Sequence, residues 1–222
     1  MRGYSTNESA DQELFEAIQA KDLIKIRSIL QKVQFIDLNT ALDDTSLLGK
    51  FKSKTEYSYT KTNLSFFEQA ILSKNIEIVK LLLEYGANPN HTRIIRYIDS
   101  RPTLPVEFAL EHFNSLDKNP EIFNFLLEKT SKTLIEHSQI LHRVTKSGKF
   151  KREVTKYYIQ NNISINSLDS IGRTALDYAL KNGFFIVSED LFDAGATTSP
   201  SSEGNPTPAI FYLIRYFNQN LT

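Results

Sequence analysis

An all-α solenoid of stacked helix-turn-helix units with finger loops is the fold this sequence predicts, and three observations carry it. The first is an internal match. Ala17-Ile18-Gln19-Ala20-Lys21-Asp22-Leu23 aligns with Ala70-Ile71-Leu72-Ser73-Lys74-Asn75-Ile76, and continues without a gap through Ile26/Val79, Arg27/Lys80, Ile29/Leu82 and Leu30/Leu83. The second is period: Ile76, Val79, Leu82 and Leu83 recur at helical spacing and form one apolar stripe. The third is punctuation, since each copy reads as a helix ending near Ala20 or Ser73, a tight polar turn, and a second helix. Such a pair cannot bury its apolar faces alone, so neighbouring pairs must stack.

Taken in order, copy one spans approximately 8–40 and copy two 62–90. In copy two the run Glu77-Ile78-Val79-Lys80-Leu81-Leu82-Leu83-Glu84-Tyr85-Gly86-Ala87-Asn88-Pro89-Asn90 is a helix and its exit turn. Gly86 sits where the helix must stop in a left-handed conformation, which glycine adopts without penalty. The fifth copy, 167–199, supplies the other half of the pattern in Asp169-Ser170-Ile171-Gly172-Arg173-Thr174-Ala175-Leu176-Asp177-Tyr178-Ala179 and closes with Asp193-Ala194-Gly195-Ala196. Together these motifs resemble the ankyrin repeat, a unit of about 33 residues. The resemblance implies an ankyrin-repeat solenoid over 8–217, about five repeats forming one continuous unit.

The other copies depart further. Copy three, 101–130, starts at Thr103-Leu104-Pro105-Val106-Glu107-Phe108-Ala109-Leu110 and resumes at Glu121-Ile122-Phe123-Asn124-Phe125-Leu126-Leu127. Glu121 follows Ala109 by 12 positions, where in copy two Glu77 follows Ala70 by seven, so five extra residues fall around Asn114–Pro120. Copy four, 131–166, has no recognisable start, but Val154 to Asn166 resembles a second helix and turn with Asn162 in the glycine position. Asparagine is the next-best residue there. Thr207-Pro208-Ala209-Ile210-Phe211-Tyr212-Leu213-Ile214 opens a C-terminal half-repeat, 205–217, with threonine as cap and proline at the first helical position. Residues 41–61 form an inserted loop between copies one and two, and Asn90 to Pro102 lengthens the finger between copies two and three. In a solenoid such insertions map to loops, often on the binding face.

Where the family carries Thr-Pro-Leu-His, this chain has Ser65-Phe66-Phe67-Glu68 and Thr174-Ala175-Leu176-Asp177. Both are Ser/Thr followed three residues later by an acid, the pattern of a capping box. The acid replaces the local hydrogen bonds of the family's histidine.

Composition narrows the function. The 222 residues are 41% apolar and 23% charged, ordinary for a globular chain rather than a disordered one. The 26 basic and 26 acidic residues cancel, so there is no global field to draw in nucleic acid or an anionic membrane. The absence of cysteine removes disulfides, thiolate nucleophiles and cysteine–zinc sites, and fits a reducing compartment. Met1 to Ala20 lacks the apolar core of a secretory signal, and no apolar run approaches the roughly 20 residues of a membrane span. The sequence reads as a soluble, cytoplasmic, monomeric protein.

No catalytic, metal or cofactor site is expected. His137 and His142 lie five apart, on different helical faces, while His91 falls in a finger and His112 near a helix end. A surface or capping role suits these histidines. No Gly-x-Ser-x-Gly elbow exists, and Ser147-Gly148-Lys149-Phe150 lacks the upstream glycine and the hydroxyl of a phosphate loop. Two basic runs stand out: Lys146, Lys149, Lys151, Arg152 and Lys156 with only Glu153 among them, and Lys50, Lys52, Lys54 and Lys61 around Phe51, Tyr57 and Tyr59. A solvated turn and a loop are the simpler readings, and if either run binds, an acidic protein surface suits it better than DNA.

The resemblance places recognition on a concave groove formed by the finger turns and the exposed face of each first helix. By aligned position the first-helix residues are Gln69, Ser73, Phe108, Glu111, His112, Tyr178, Lys181 and Asn182. The finger after copy two adds Arg93, Arg96, Tyr97 and Arg101, of the types enriched in hot spots. The expected function is protein–protein recognition, with no small-molecule substrate and no nucleic acid. The 21 isoleucines and 16 asparagines, with degenerate repeats, resemble effectors that intracellular bacteria deliver into a host-cell cytosol. A eukaryotic or viral adaptor is one alternative. Another is an enzyme or toxin site hidden in 41–62 or 131–152.

Overall fold

The computed structural model describes residues 8–33, 36–39, 64–94, 102–113 and 120–199. The inserted loop 41–61, the half-repeat 205–217 and most of the extra residues of copy three lie outside them. Helices α1 (Glu8–Gln19), α2 (Leu23–Lys32), α3 (Phe66–Leu72) and α4 (Ile76–Glu84) come first. After them the two-residue strands β1 (Arg93–Ile94) and β2 (Pro102–Thr103) pair antiparallel, Arg93 opposite Thr103. Helices α5 (Pro105–His112), α6 (Glu121–Lys129), α7 (Lys132–His137), α8 (Ile140–Ser147), α9 (Lys151–Gln160), α10 (Ala175–Lys181) and α11 (Phe185–Asp193) complete the order. The chain is thus all-α with a two-residue pairing at the base of one finger. Among the described residues no helix is long and apolar enough to cross a membrane.

The chain divides into two compact units, Met1–His112 with Glu121–Lys129, and Phe113–Pro120 with Thr130–Thr222. In the first, three helix pairs stack: first helices α1, α3 and α5 pack in one row and second helices α2, α4 and α6 in another. In the second unit the α8–α9 pair stacks on the α10–α11 pair in the same manner. Stacking buries what no pair could bury alone. Leu14, Ile18, Ile26, Phe66, Phe67, Ile71, Ile78 and Leu82 are all but inaccessible in the first unit.

Local chemistry explains the boundaries. Ser65 caps α3 through its side chain, accepting the Glu68 N–H, and Glu68 returns the favour to the Ser65 N–H at 2.8 Å. Thr174 and Asp177 make the same box at α10. At α5 the first position is Pro105 and the cap is Leu104, which has no side-chain acceptor and whose N–H donates to Glu107 Oε2 at 2.9 Å. The inter-helix turns match as the internal alignment requires, with Lys21 and Lys74 at φ 55° and 56°. Gly86 and Gly195 stop α4 and α11 at φ 98° and 85°, and Asn162 takes the same role after α9 at φ 54°.

Copy four holds more than its sequence pattern suggests. Its repeat pair is α8–α9, and α7 is an additional short helix, tied to α9 by the Tyr158 hydroxyl donating to Ile135 O at 2.8 Å. Both α8 and α9 start without a side-chain cap, after Gln139 and Phe150 in left-handed conformations.

Candidate functional site

In the first unit the residues expected on a binding face divide by what holds them. α5 packs on α3 and α6, and all six residues from Pro105 to Leu110 are buried. Phe108, read from sequence as exposed, is therefore 1% exposed and belongs to the core. His112 lies half-buried against it, ring centroids 4.0 Å apart, with Nδ1–H donating to Phe108 O at 2.9 Å. Glu111 and Gln69 are half-buried. Ser73 closes the α3–α4 turn, its hydroxyl donating to Ala70 O and accepting from the Asn75 N–H. Arg93 stands in β1, at the root of the finger. Arg96, Tyr97 and Arg101 lie outside the described residues.

The second unit presents a finger built in detail. Asp169 N–H donates to Arg173 O at 2.9 Å, and Gly172 N–H donates to Asp169 O at 3.0 Å. Asp169 Oδ1 accepts from the N–H groups of Ile171 and Arg173, both at 3.0 Å, closing the turn around its carboxylate. The other oxygen accepts the Tyr178 hydroxyl at 2.7 Å. From α8, His142 Nε2–H donates to Ser167 O at 2.9 Å and Gln139 Nε2 donates to Leu168 O at 3.3 Å. His142 is thus a buried anchor rather than a surface residue, its Nδ1 left without a hydrogen bond.

These contacts shift the titrating groups. Burial alone would raise the Asp169 carboxyl. The N–H of Arg173, the Tyr178 hydroxyl and the N–H of Ile171 outweigh burial and hold it below the usual carboxylate value. Tyr178 is pushed up to about 12, first by burial and then by its bond to the Asp169 carboxylate. By aligned position Tyr178 belongs to the exposed face of a first helix; at 4% exposed it is a packed residue instead. The reason matches that for Phe108: α10 is short and every residue from Ala175 to Leu180 is buried. Lys181 is exposed. Asn182 is exposed too, yet its Nδ2 donates to Thr145 O at 2.9 Å and Lys146 O at 3.3 Å, sealing the end of α8.

The finger carries two residues that sequence reading passed over, Leu168 and Ile171, 47% and 65% exposed. Their signal was an aliphatic side chain either side of Asp169-Ser170, inside a polar turn with nothing local to bury it. Residues 131–152 form α7, α8 and the start of α9. Among the described residues no three His, Asp or Glu side chains gather as a metal site.

Comparison with known proteins agrees with this geometry. A family model for the ankyrin repeat matches residues 62–91, and a model for ankyrin repeats in many copies matches 141–192. Among solved structures, the ankyrin repeat domain of Bcl-3, described as a unique member of the IkappaB protein family, is similar at a TM-score of 0.61 and 17% identity. That likeness covers 94% of this chain and 86% of the other and speaks to fold. No curated protein matches the sequence. Ankyrin-repeat matches thus fall in both units, at 62–91 and 141–192, and within each unit the helix pairs stack as that fold requires.

Proposed function

We propose that this chain binds a partner protein through its finger loops and the accessible residues of its first helices, as a protein–protein interaction module without chemistry of its own. The observation that supports this most is the 166–174 finger, where hydrogen bonds fix the backbone while Ile171 stays 65% exposed. A rigid finger with an uncovered aliphatic side chain loses little entropy on binding and gains from burial. The partner contacts proposed are Ile171, Leu168 and Lys181 in the second unit and, in the first, Gln69, Glu111 and His112, with Arg93, Arg96, Tyr97 and Arg101 on the finger after copy two. Delivery into a host cell by an intracellular bacterium is the finer reading, supported by the isoleucine and asparagine bias of degenerate repeats.

The test is affinity capture with the full chain, comparing wild type with an Ile171→Asp/Leu168→Ser variant and an Arg93/Arg96/Tyr97/Arg101 alanine variant. A partner retained by wild type and lost from either still-folded variant supports the reading. A partner indifferent to both moves the binding site elsewhere. A translocation reporter fused to the chain tests delivery separately.

A further inference from the structure

A different surface of the second unit lies at the far end of its helices from the finger. α8 and α10 run side by side in one direction. Gln139 and His142 hold the finger near the start of α8, and Asn182, after α10, bonds the last carbonyls of α8. This joins the α8–α9 turn to the α10–α11 turn. The approach is close: a Cβ on Gly148 would meet Phe184 Cζ at 2.9 Å. Lys151 Nζ stands 4.2 Å over the Phe184 ring and donates to Gly148 O at 3.2 Å.

Around this joint the surface is both cationic and apolar. In sequence Lys146, Lys149, Lys151 and Arg152 flank Gly148, Lys181 precedes Asn182 and Lys156 follows in α9, with Glu153 the one acid between 143 and 156 and Glu189 the nearest acid on the exposed surface of α11. Among the described residues Lys146, Arg152, Lys156 and Lys181 make no ion pair. Beside them Phe185 and Ile186, opening α11, are 41% and 54% exposed. Mutual repulsion of the cations and the wetting of two large apolar side chains are both relieved by one kind of ligand. It must carry negative charge and an apolar anchor together.

We propose that this joint docks an acidic segment of a partner protein that carries an apolar side chain between its carboxylates. Phe185 and Ile186 are set half into the surface, which suits a side chain laid across them better than insertion into a lipid interface. Phe184, the aromatic at the centre, has its face occupied by Lys151, so it offers no platform for a nucleic-acid base. The surface is separate from the finger and either can be lost without the other.

The experiment is fluorescence anisotropy on the full chain with a labelled synthetic peptide of about 12 residues, glutamates around a central Leu-Phe pair. Binding is expected that weakens about tenfold between low and high salt, as exposed charge pairs require. Lys146→Glu/Arg152→Glu should weaken it about tenfold and Ile186→Ser several-fold, with helix content unchanged and the Ile171→Asp variant binding as wild type. Absence of binding at low salt would overturn the proposal, as would indifference to Ile186→Ser. Tighter binding to vesicles containing phosphatidylserine, or to single-stranded DNA, than to the peptide would overturn it in favour of that ligand.

Discussion

Asn39 and Asn88, 49 residues apart, are joined through one side-chain amide: Asn39 Oδ1 accepts the Asn88 N–H at 2.7 Å, and Asn39 Nδ2 donates to Asn88 O at 2.9 Å. Asn166 repeats the device in the second unit, accepting the Thr197 N–H at 2.7 Å and donating to Gly195 O at 3.2 Å. A carboxamide presents a donor and an acceptor as a peptide group does, so it links successive loops where no strand pairs. Two hydrogen bonds are at stake at Asn39 and three at Asn166, whose Oδ1 also accepts the Thr197 hydroxyl at 3.3 Å. Asn39→Ala and Asn166→Ala should each lower stability by about 1–2 kcal/mol. Asn166→Asp, which keeps the acceptor and loses the donor, should fall between. Denaturant midpoints decide it, and an unmoved midpoint for Asn166→Ala would reduce these bonds to ornament.

The helix starts make a second prediction, because three first helices bury an acid in place of the family's histidine. Ser65→Ala and Thr174→Ala should each cost about 1 kcal/mol, the usual worth of a cap. Glu107→Ala should cost more, about 1–3 kcal/mol, because Leu104 has no side-chain cap to share the work and its N–H is left buried. Equal losses at Glu107 and Ser65 in thermal unfolding would contradict this ranking.

The difference between these helices also explains what the sequence could disclose. Copies two and five were legible because their signals are local: a cap, an acid three residues on, a glycine stop. Copy four hid its first helix because α8 begins after Gln139 at φ 52° with no side-chain cap, a start that leaves no residue-type signature. The repeat position of Asn162 was legible because asparagine tolerates that conformation. The groove was the weak point. Periodicity separates one buried face from one exposed face, but α5 and α10 are short helices with neighbours on several sides, so Phe108 and Tyr178 had no exposed face to occupy. Leu168 and Ile171 escaped because turn residues are read for their backbone preference rather than for what their side chains leave uncovered.

Gly148 gives a prediction with an internal control. At φ 79° any side chain is strained, and here a Cβ would also press on the Phe184 ring at 2.9 Å. Gly172 has a similar φ of 74° and nothing within 4 Å. Gly172→Ala should therefore show the conformational penalty alone, about 1 kcal/mol, and Gly148→Ala that penalty plus the displacement of Phe184, about 2–3 kcal/mol. Adding Phe184→Leu to Gly148→Ala should recover part of the difference. If the two alanine variants unfold at the same denaturant concentration, the packing between the two turns is looser than 2.9 Å implies.

The Asp169–Tyr178 bond sets a pH window for the second finger. The Asp169 carboxyl is held below its ordinary value of 3.8, so its contribution is fully present above that value and is lost as pH falls through the folded one. Tyr178 is raised from 10.0 to about 12, so its contribution is fully present below 10 and is lost as pH rises through about 12. The finger should stay anchored between roughly pH 4 and 10 and loosen on either side. Subtracting the tyrosinate absorbance titration of Tyr178→Phe from that of wild type isolates this hydroxyl, and the difference should rise near 12. Asp169→Asn keeps an oxygen for the N–H groups of Ile171 and Arg173 but removes the charge that Tyr178 meets, so the same step should move down part of the way, burial being the larger cause and unchanged. A wild-type step already at 10 would mean that the hydroxyl is solvated and that the finger is held from α8 alone.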